Sequence, residues 1–417
     1  MRGLEHLWAA LRKSVFRVGI PKTNLGRAQA MVSSFVLHLH PAKIRRESLR
    51  PNRTFGLGLI SLYLLAILIV TGVLLMFDYV PSVERAYDSM KDLEFVVTAG
   101  VLLRNCHRWA AHLMVVAVVL HLARVYLMGS YKKPREFNWL VGVALLLLTL
   151  FLSFTGYLLP WDQLAFWAIT VGTSIASYAP VVGDTTKYLL LGGNAVGQPA
   201  LLRFYVLHVV VLPAAALFLV AVHLYRVRKD GGLARPNENK VRIEEGDQPP
   251  ADKSYGLMAL TSATTPHVGS DPQNEVFSWP HLLMREILLF AGTFGVVLLL
   301  AILFDAPLEE LANPVHPPNP AKAPWYFLAL QELVAHSAFL GGVVVPALLV
   351  ATLVAVPFLD RSRSGPGQWF ARDRRLPNAI FITVLVALLL LTVVATYFRG
   401  PNWDWIWPWQ AVAGHGG

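Results

Sequence analysis

Seven stretches of this 417-residue chain are long and apolar enough to cross a lipid bilayer, at about 56–77, 107–128, 139–160, 204–225, 283–304, 338–358 and 379–398. A hydrocarbon core about 30 Å thick takes about 20 helical residues. Inside it a backbone amide finds no water, so each stretch has to satisfy its own hydrogen bonds as helix. The expected fold is therefore an all-α polytopic membrane protein. Composition agrees, with 55% hydrophobic and 15% charged residues. The single cysteine, Cys106, excludes an internal disulfide framework and any all-cysteine iron–sulfur cluster within the chain. The N-terminus lacks a cleavable signal pattern. Leu4, Leu7, Trp8, Leu11 and Val15 with Arg12, Lys13 and Arg17 read as a basic amphipathic surface helix.

A net charge of +10 raises nucleic acid as a partner, but the distribution argues for a membrane instead. Basic residues crowd the N-terminal segment (Lys43, Arg45, Arg46, Arg50, Arg53), the loop after the second stretch (Lys132, Lys133, Arg135), and the segments after the fourth (Arg226, Arg228, Lys229) and sixth (Arg361, Arg363, Arg372, Arg374, Arg375). Those are alternate sides of a seven-span topology. The opposite loops carry Asp78, Glu84, Asp88, Asp92, Asp305, Glu309 and Glu310. The positive-inside rule then puts the N-terminus in the cytoplasm and the C-terminus outside, in a multi-pass protein of a bacterial cytoplasmic membrane.

Four histidines lie inside two of these stretches, His107 and His121 in the second, His208 and His223 in the fourth. Their spacings of 14 and 15 residues are close to four helical turns, so each pair projects from one face, within about 40–60° and roughly 21–23 Å apart. One span separates the two helices, so they run parallel: His107 faces His208 at the outer edge and His121 faces His223 at the inner. Intramembrane ionisable groups are functional by default. Two imidazoles at each level would fill both axial positions of a haem iron, which suits electron transfer rather than oxygen binding. His112, about 140° round the helix from His107, reads as a packing residue. Gly58 and Gly72 in the first span, and Gly142 and Gly156 in the third, repeat the 14-residue period and would clear space for a flat macrocycle. Arg104, Arg108 and Arg203 lie in sequence beside the outer pair, placed to neutralise propionates.

The stretches RNCHRW, LHLARVY, YKKPREFNW, FTGYLLPWDQ, RFYVLH and VHLYRVRKDGG resemble cytochrome b of the quinol-oxidising cytochrome bc and bf complexes. FSWPHLL, NPAKAPWYFLALQEL and VPFLD resemble that family's C-terminal portion, so the likeness covers about residues 50–400. The 14/15 spacing and seven spans lean toward the bf type, here with its two portions fused. The resemblance implies an N-terminal segment (1–50), a haem-binding four-helix domain (51–228), a polar linker (229–280), a three-helix quinol-site domain (281–400) and an outer tail (401–417). It also implies two non-covalent b haems and quinol oxidation at the outer face. One electron would pass to a Rieske iron–sulfur protein, and so to a c-type cytochrome or equivalent acceptor. The other would cross both haems to a cytoplasmic-side quinone, with proton translocation, in a homodimeric complex.

One departure from the family pattern matters. Where relatives commonly carry Pro-Glu-Trp-Tyr, with the glutamate accepting a quinol proton, this chain has Ala323, Pro324, Trp325 and Tyr326. Glu332 is the expected replacement and Asp162 the runner-up, with Tyr157, Tyr326 and Trp325 available to bond or pack on quinol. At the inner site Arg228 is the nearest candidate. No cysteine precedes the first span to attach a further haem. The alternatives are a dihaem membrane anchor of a quinone-linked dehydrogenase or hydrogenase, which would not need the last three spans, and a proton-relay transporter, which would show no haem absorption.

Overall fold

The computed structural model describes residues 5, 6, 8, 21–34, 37, 40–230, 232, 233, 275–362 and 367–410. Most of the anticipated amphipathic N-terminal helix and of the 229–280 linker lies outside the described residues. Among the described residues seven helices have spanning length and hydropathy: Leu57–Leu75, Gly100–Leu127, Glu136–Tyr157, Gln198–Lys229, Ser278–Leu303, Leu340–Leu359 and Arg372–Tyr397, hereafter the first to seventh spans. Bulky apolar side chains such as Phe218, Ile302 and Leu390 point outward, as they must where lipid replaces a protein core. The chain is an all-α polytopic membrane protein. The second span packs on the first, the fourth on the third, and the second touches the third. The fifth lies against the first two and the sixth against the third. The seventh pairs with a shorter helix, Trp325–His336.

Two spans contain a wide, π-type turn: Leu207–Val211 in the fourth and Leu340–Val344 in the sixth. Each ends two residues before a proline, Pro213 and Pro346. Proline has no N–H to give the carbonyl four residues back, and its ring crowds that carbonyl. The helix widens instead, with Leu212 N–H bonding Leu207 O and Val345 N–H bonding Leu340 O.

Polar links on one side hold the two halves together. Strand β1 (Lys43–Arg45) pairs antiparallel with β2 (Glu275–Phe277), and Ser278 bonds Pro41 and Ala42 carbonyls. The buried Arg374 guanidinium bonds Asp360, the Tyr131 hydroxyl and the Tyr126 carbonyl, while Tyr131 donates to Asp360 at 2.6 Å. At the opposite face, Gln163 bonds Asn313 and His316 and its backbone N–H bonds Glu310. That places the loop before the Trp325 helix over the end of the third span.

Candidate functional site

The four histidines meet in the expected pairs. Ring centroids of His107 and His208 are 6.2 Å apart, those of His121 and His223 6.4 Å, with planes at 74° and 76°. Two metal–imidazole bonds of about 2 Å each, laid end to end with half a ring at either side, need centroids about 6 Å apart. The rings cross the gap between the first-second and third-fourth helix pairs. The 15-residue spacing in the fourth span has a local cause, because His208 sits in the π turn. A π turn absorbs one extra residue, so 15 positions there act as 14 do in the second span. Both pairs thus keep the same angular offset.

Each ring lies against one of the four glycines. A Cβ would come within 3.1 Å of His121 at Gly58, 3.2 Å of His107 at Gly72, 3.8 Å of His223 at Gly142, and 2.6 Å of His208 at Gly156. The glycines therefore clear room for the imidazoles themselves. Thr71 and Thr155, each just before a glycine, hold the two rings at the His107/His208 level: their hydroxyls meet His107 Nδ1 at 2.9 Å and His208 Nδ1 at 3.1 Å. Each hydroxyl donates its only hydrogen to a carbonyl four residues back, Ile67 at 2.7 Å and Phe151 at 2.9 Å. It must then accept from Nδ1–H, which leaves the Nε2 lone pair for a metal. Neither threonine was anticipated; the signal was the Thr–Gly dipeptide repeated in the first and third spans.

Around the His121/His223 level a cavity is lined by Arg124, Ser130, Arg135 and Asn138 as well as both histidines. Arg124 Nε, Ser130 Oγ and Asn138 Oδ1 are buried there without a partner. Buried polar atoms are ordinarily bonded, and the two donors among these, Arg124 Nε–H and Ser130 Oγ–H, fit the carboxylates of a haem. The sequence puts Arg228 where a cytoplasmic-side quinone would approach. That side chain is exposed, within electrostatic reach of His40. Arg124, in the LHLARVY motif, is not singled out by the sequence, and Arg135 of YKKPREFNW reads there only as a basic loop residue on the cytoplasmic side.

At the His107/His208 level the three arginines separate. Arg104 bonds Pro307 O at 2.7 Å. Arg203 bonds Tyr188 and Leu189 carbonyls, closing the helix Gly183–Leu191. Arg108 makes no described hydrogen bond and faces Tyr326 and Asp162 electrostatically. Tyr326 packs on Phe327 and His112, and Phe327 touches Tyr157, so the expected aromatic residues do gather beside this histidine level. Burial pushes the Tyr326 hydroxyl up to about 12 against the pull of Arg108, so it stays a neutral donor. His112, read as a packing residue, accepts a hydrogen bond from Trp325 Nε1 at 3.0 Å.

The two carboxylates nominated as proton acceptors are otherwise engaged. Glu332, 2% exposed, takes Arg399 Nε at 3.1 Å on both oxygens, Trp403 Nε1 at 2.9 Å and His336 Nε2 at 3.3 Å. Six residues past Tyr326, it points about 120° away round the helix, toward the end of the seventh span. Burial raises its pKa, but Arg399, Trp403 and His336 outweigh that and hold it below the usual range. The expectation that it swings toward the outer histidines is corrected accordingly. Asp162 caps the helix Gln163–Ser177, accepting from Ala165 N at 2.9 Å and Glu309 N at 3.2 Å. Burial raises its pKa, opposed by those two N–H groups and by Arg104 and Arg108.

Comparison with known proteins covers both halves. The family described as "Cytochrome b/b6/petB" matches residues 46–231, and "Cytochrome b(C-terminal)/b6/petD" matches residues 311–412. Cytochrome b6 of Heliomicrobium gestii is 41% identical over 196 residues, 46% of this chain and 92% of that one. Cytochrome b6 of Heliobacterium mobile is 44% identical over 180 residues, 43% of this chain and 84% of that one. A solved chain titled "Hyperthermophilic respiratory Complex III" superposes with TM-score 0.67 and 28% identity, covering 84% of this chain and 85% of that one.

Proposed function

This chain belongs to the cytochrome b family, with the b6 portion and the C-terminal portion in one polypeptide, and on that footing we propose that it carries two b haems, His107 with His208 and His121 with His223, through which quinol is oxidised across a membrane. The coarser part follows from membership: it is an integral membrane, haem b-binding subunit of a quinol oxidoreductase complex of the bc/bf class. The observation that carries the finer part is the matched pair of imidazole gaps, 6.2 and 6.4 Å.

Haem held between two such histidines would supply a one-electron carrier. The chain's own groups do the rest. Thr71 and Thr155 keep Nδ1 protonated, so the ring orientation and the ligating nitrogen are set before loading. Arg124 and Ser130 would hold haem carboxylates at the His121/His223 level. Arg108 is placed to serve the other. Tyr157, Trp325 and Tyr326 offer an aromatic wall with hydroxyl donors against which a quinol ring would lie.

By the positive-inside distribution the His107/His208 end faces outside and the N-terminus lies in the cytoplasm of a bacterial cell. Quinol would be oxidised at that outer end, giving one electron to a Rieske iron–sulfur protein that passes it to a c-type cytochrome or equivalent acceptor. The second would cross to quinone at the His121/His223 end, with protons released outside and taken up inside. Acidic outer loops suit such docking, and the large apolar surface suits a homodimeric, multi-subunit assembly. The dihaem-anchor alternative loses its footing at the C-terminal family match over residues 311–412.

The test is the reduced-minus-oxidised spectrum and haem stoichiometry of the purified complex. Two b haems per chain are expected, and His121→Ala should remove one component while leaving the other. A single haem, or an unchanged spectrum in that variant, would refute the ligand assignment.

A further inference from the structure

We propose that His112 is the proton acceptor for quinol at the His107/His208 end, a step that deepens the reading above and rests on it. Quinol oxidation has to place two protons somewhere, and general-base help at such a step is worth typically ~10²–10⁴-fold. The carboxylates nearest this end are not free to give it. Glu332 is held ionised by Arg399 on the far side of its helix, and Asp162 is fixed as a helix cap by one backbone N–H on each oxygen. Among the described residues the titratable groups gathered at Tyr326 are then Arg108, Tyr157 and His112. A guanidinium has no lone pair to offer and a neutral phenol is a feeble base. Only the imidazole fits.

Its setting is built for that role. Five residues past His107, the ring leaves the histidine pair and turns to the Trp325 helix. It is half-buried, with Trp109 at 5.5 Å, Tyr326 at 5.5 Å and Trp325 at 6.4 Å between centroids. The charged or titratable groups facing it are Arg108, one turn earlier on its own helix, and Tyr326 opposite. Its one described hydrogen bond runs from Trp325 Nε1 to Nδ1, 3.0 Å. An indole N–H can only donate, so Nδ1 presents its lone pair to Trp325 and Nε2 carries the hydrogen of the neutral ring. Trp325 is 38% exposed, so the indole has room to move aside, and a quinol hydroxyl in its place would donate to the same lone pair.

The step balances. The quinol O–H breaks heterolytically, Nδ1–H forms, and the electron pair stays on the quinol oxygen until it leaves one electron at a time by the route above. His112 becomes imidazolium, releases the Nδ1 proton toward the outer aqueous side to regain its starting tautomer, and can then take the second quinol proton in the same way.

The test uses the intact complex and follows quinol-driven haem reduction against pH. In the wild type the rate should fall on the acid side as the base becomes protonated. His112→Gln should be roughly tenfold or more slower and lose that acid limb, with both haem bands unchanged. His112→Asn, shorter by one carbon, guards against a misfit peculiar to glutamine. Wild-type-like rates in these variants, or slow rates that keep the acid limb, would overturn the proposal. So would loss of haem absorbance in both, which would make His112 a packing residue. A wild-type complex that holds haem yet oxidises no quinol would instead overturn the functional reading, leaving the two failures distinguishable.

Discussion

Substituting alanine at the four helix glycines should damage haem binding in an order set by the distances to the histidines. At Gly156 a Cβ would stand 2.6 Å from His208 Cε1, 3.1 Å from Nε2 and 3.2 Å from Nδ1. Carbon atoms rest at about 3.5–4.0 Å, so the added methyl lies about 1 Å inside contact with a ring it cannot avoid. Overpacking of this kind costs about 1–3 kcal/mol, against which alanine's better helix propensity returns up to about 1 kcal/mol. Moving the ring also breaks its 3.1 Å bond to Thr155 and its alignment with His107. Gly142 is the opposite case: its Cβ would sit 3.8 Å from His223, an ordinary contact, leaving only the propensity gain. Gly58 and Gly72, at 3.1 and 3.2 Å, fall between, since a few tenths of an ångström of ring shift suffices. Haem content, redox-resolved difference spectra and the temperature at which haem absorbance is lost would rank the four variants. Gly156→Ala should selectively lose or perturb the His107/His208 haem, and Gly142→Ala should resemble the wild type. Equal damage at both positions, or an intact His107/His208 haem in Gly156→Ala, would refute the reasoning.

Three further outcomes follow from the side-chain bonding. Thr71→Val and Thr155→Val remove the acceptors of the Nδ1–H groups, and loss of such an outer partner typically weakens metal affinity about 10–100-fold; a redox titration should shift the His107/His208 haem alone, and equal shifts at both levels would contradict this. Glu332→Gln should lower thermal stability by roughly 3 kcal/mol without altering the pH profile of quinol oxidation. Because the folded pKa of Glu332 is lowered, its contribution is full above the unfolded value and lost as pH falls through the folded one, so acid should narrow the gap between wild type and variant. For Asp360, burial raises the pKa but Ser362, Tyr131 and Lys132 outweigh it and set it at about 2, from 3.8. Discounted for solvent screening, that is at most about 2 kcal/mol of stability at neutral pH, lost as pH falls from about 4 toward 2. Asp360→Asn should lose more than this, since it leaves the Arg374 guanidinium, 1% exposed, without its carboxylate; a thermal midpoint within error of the wild type would count against the network.

The sequence by itself determined the seven spans, the parallel run of the second and fourth, and the pairing of His107 with His208 and His121 with His223. These are local properties: a segment in hydrocarbon has no choice but to bond its own backbone, and a 14-residue spacing fixes a face before any tertiary contact exists. Even the odd residue between His208 and His223 had a local cue, the proline at 213 that forces the π turn. What the tertiary structure decided was which polar groups remain available. Glu332 looked uncommitted as a letter in LALQEL, but its partners Arg399 and Trp403 lie 67 and 71 residues away. Asp162 is occupied by Glu309, 147 residues on, and His112 is turned into an acceptor by Trp325, 213 residues on. Periodicity along a helix reports the face a side chain occupies. It carries no record of the distant donor or acceptor that meets it there, and for a proton acceptor or a haem carboxylate's partner that encounter settles the chemistry.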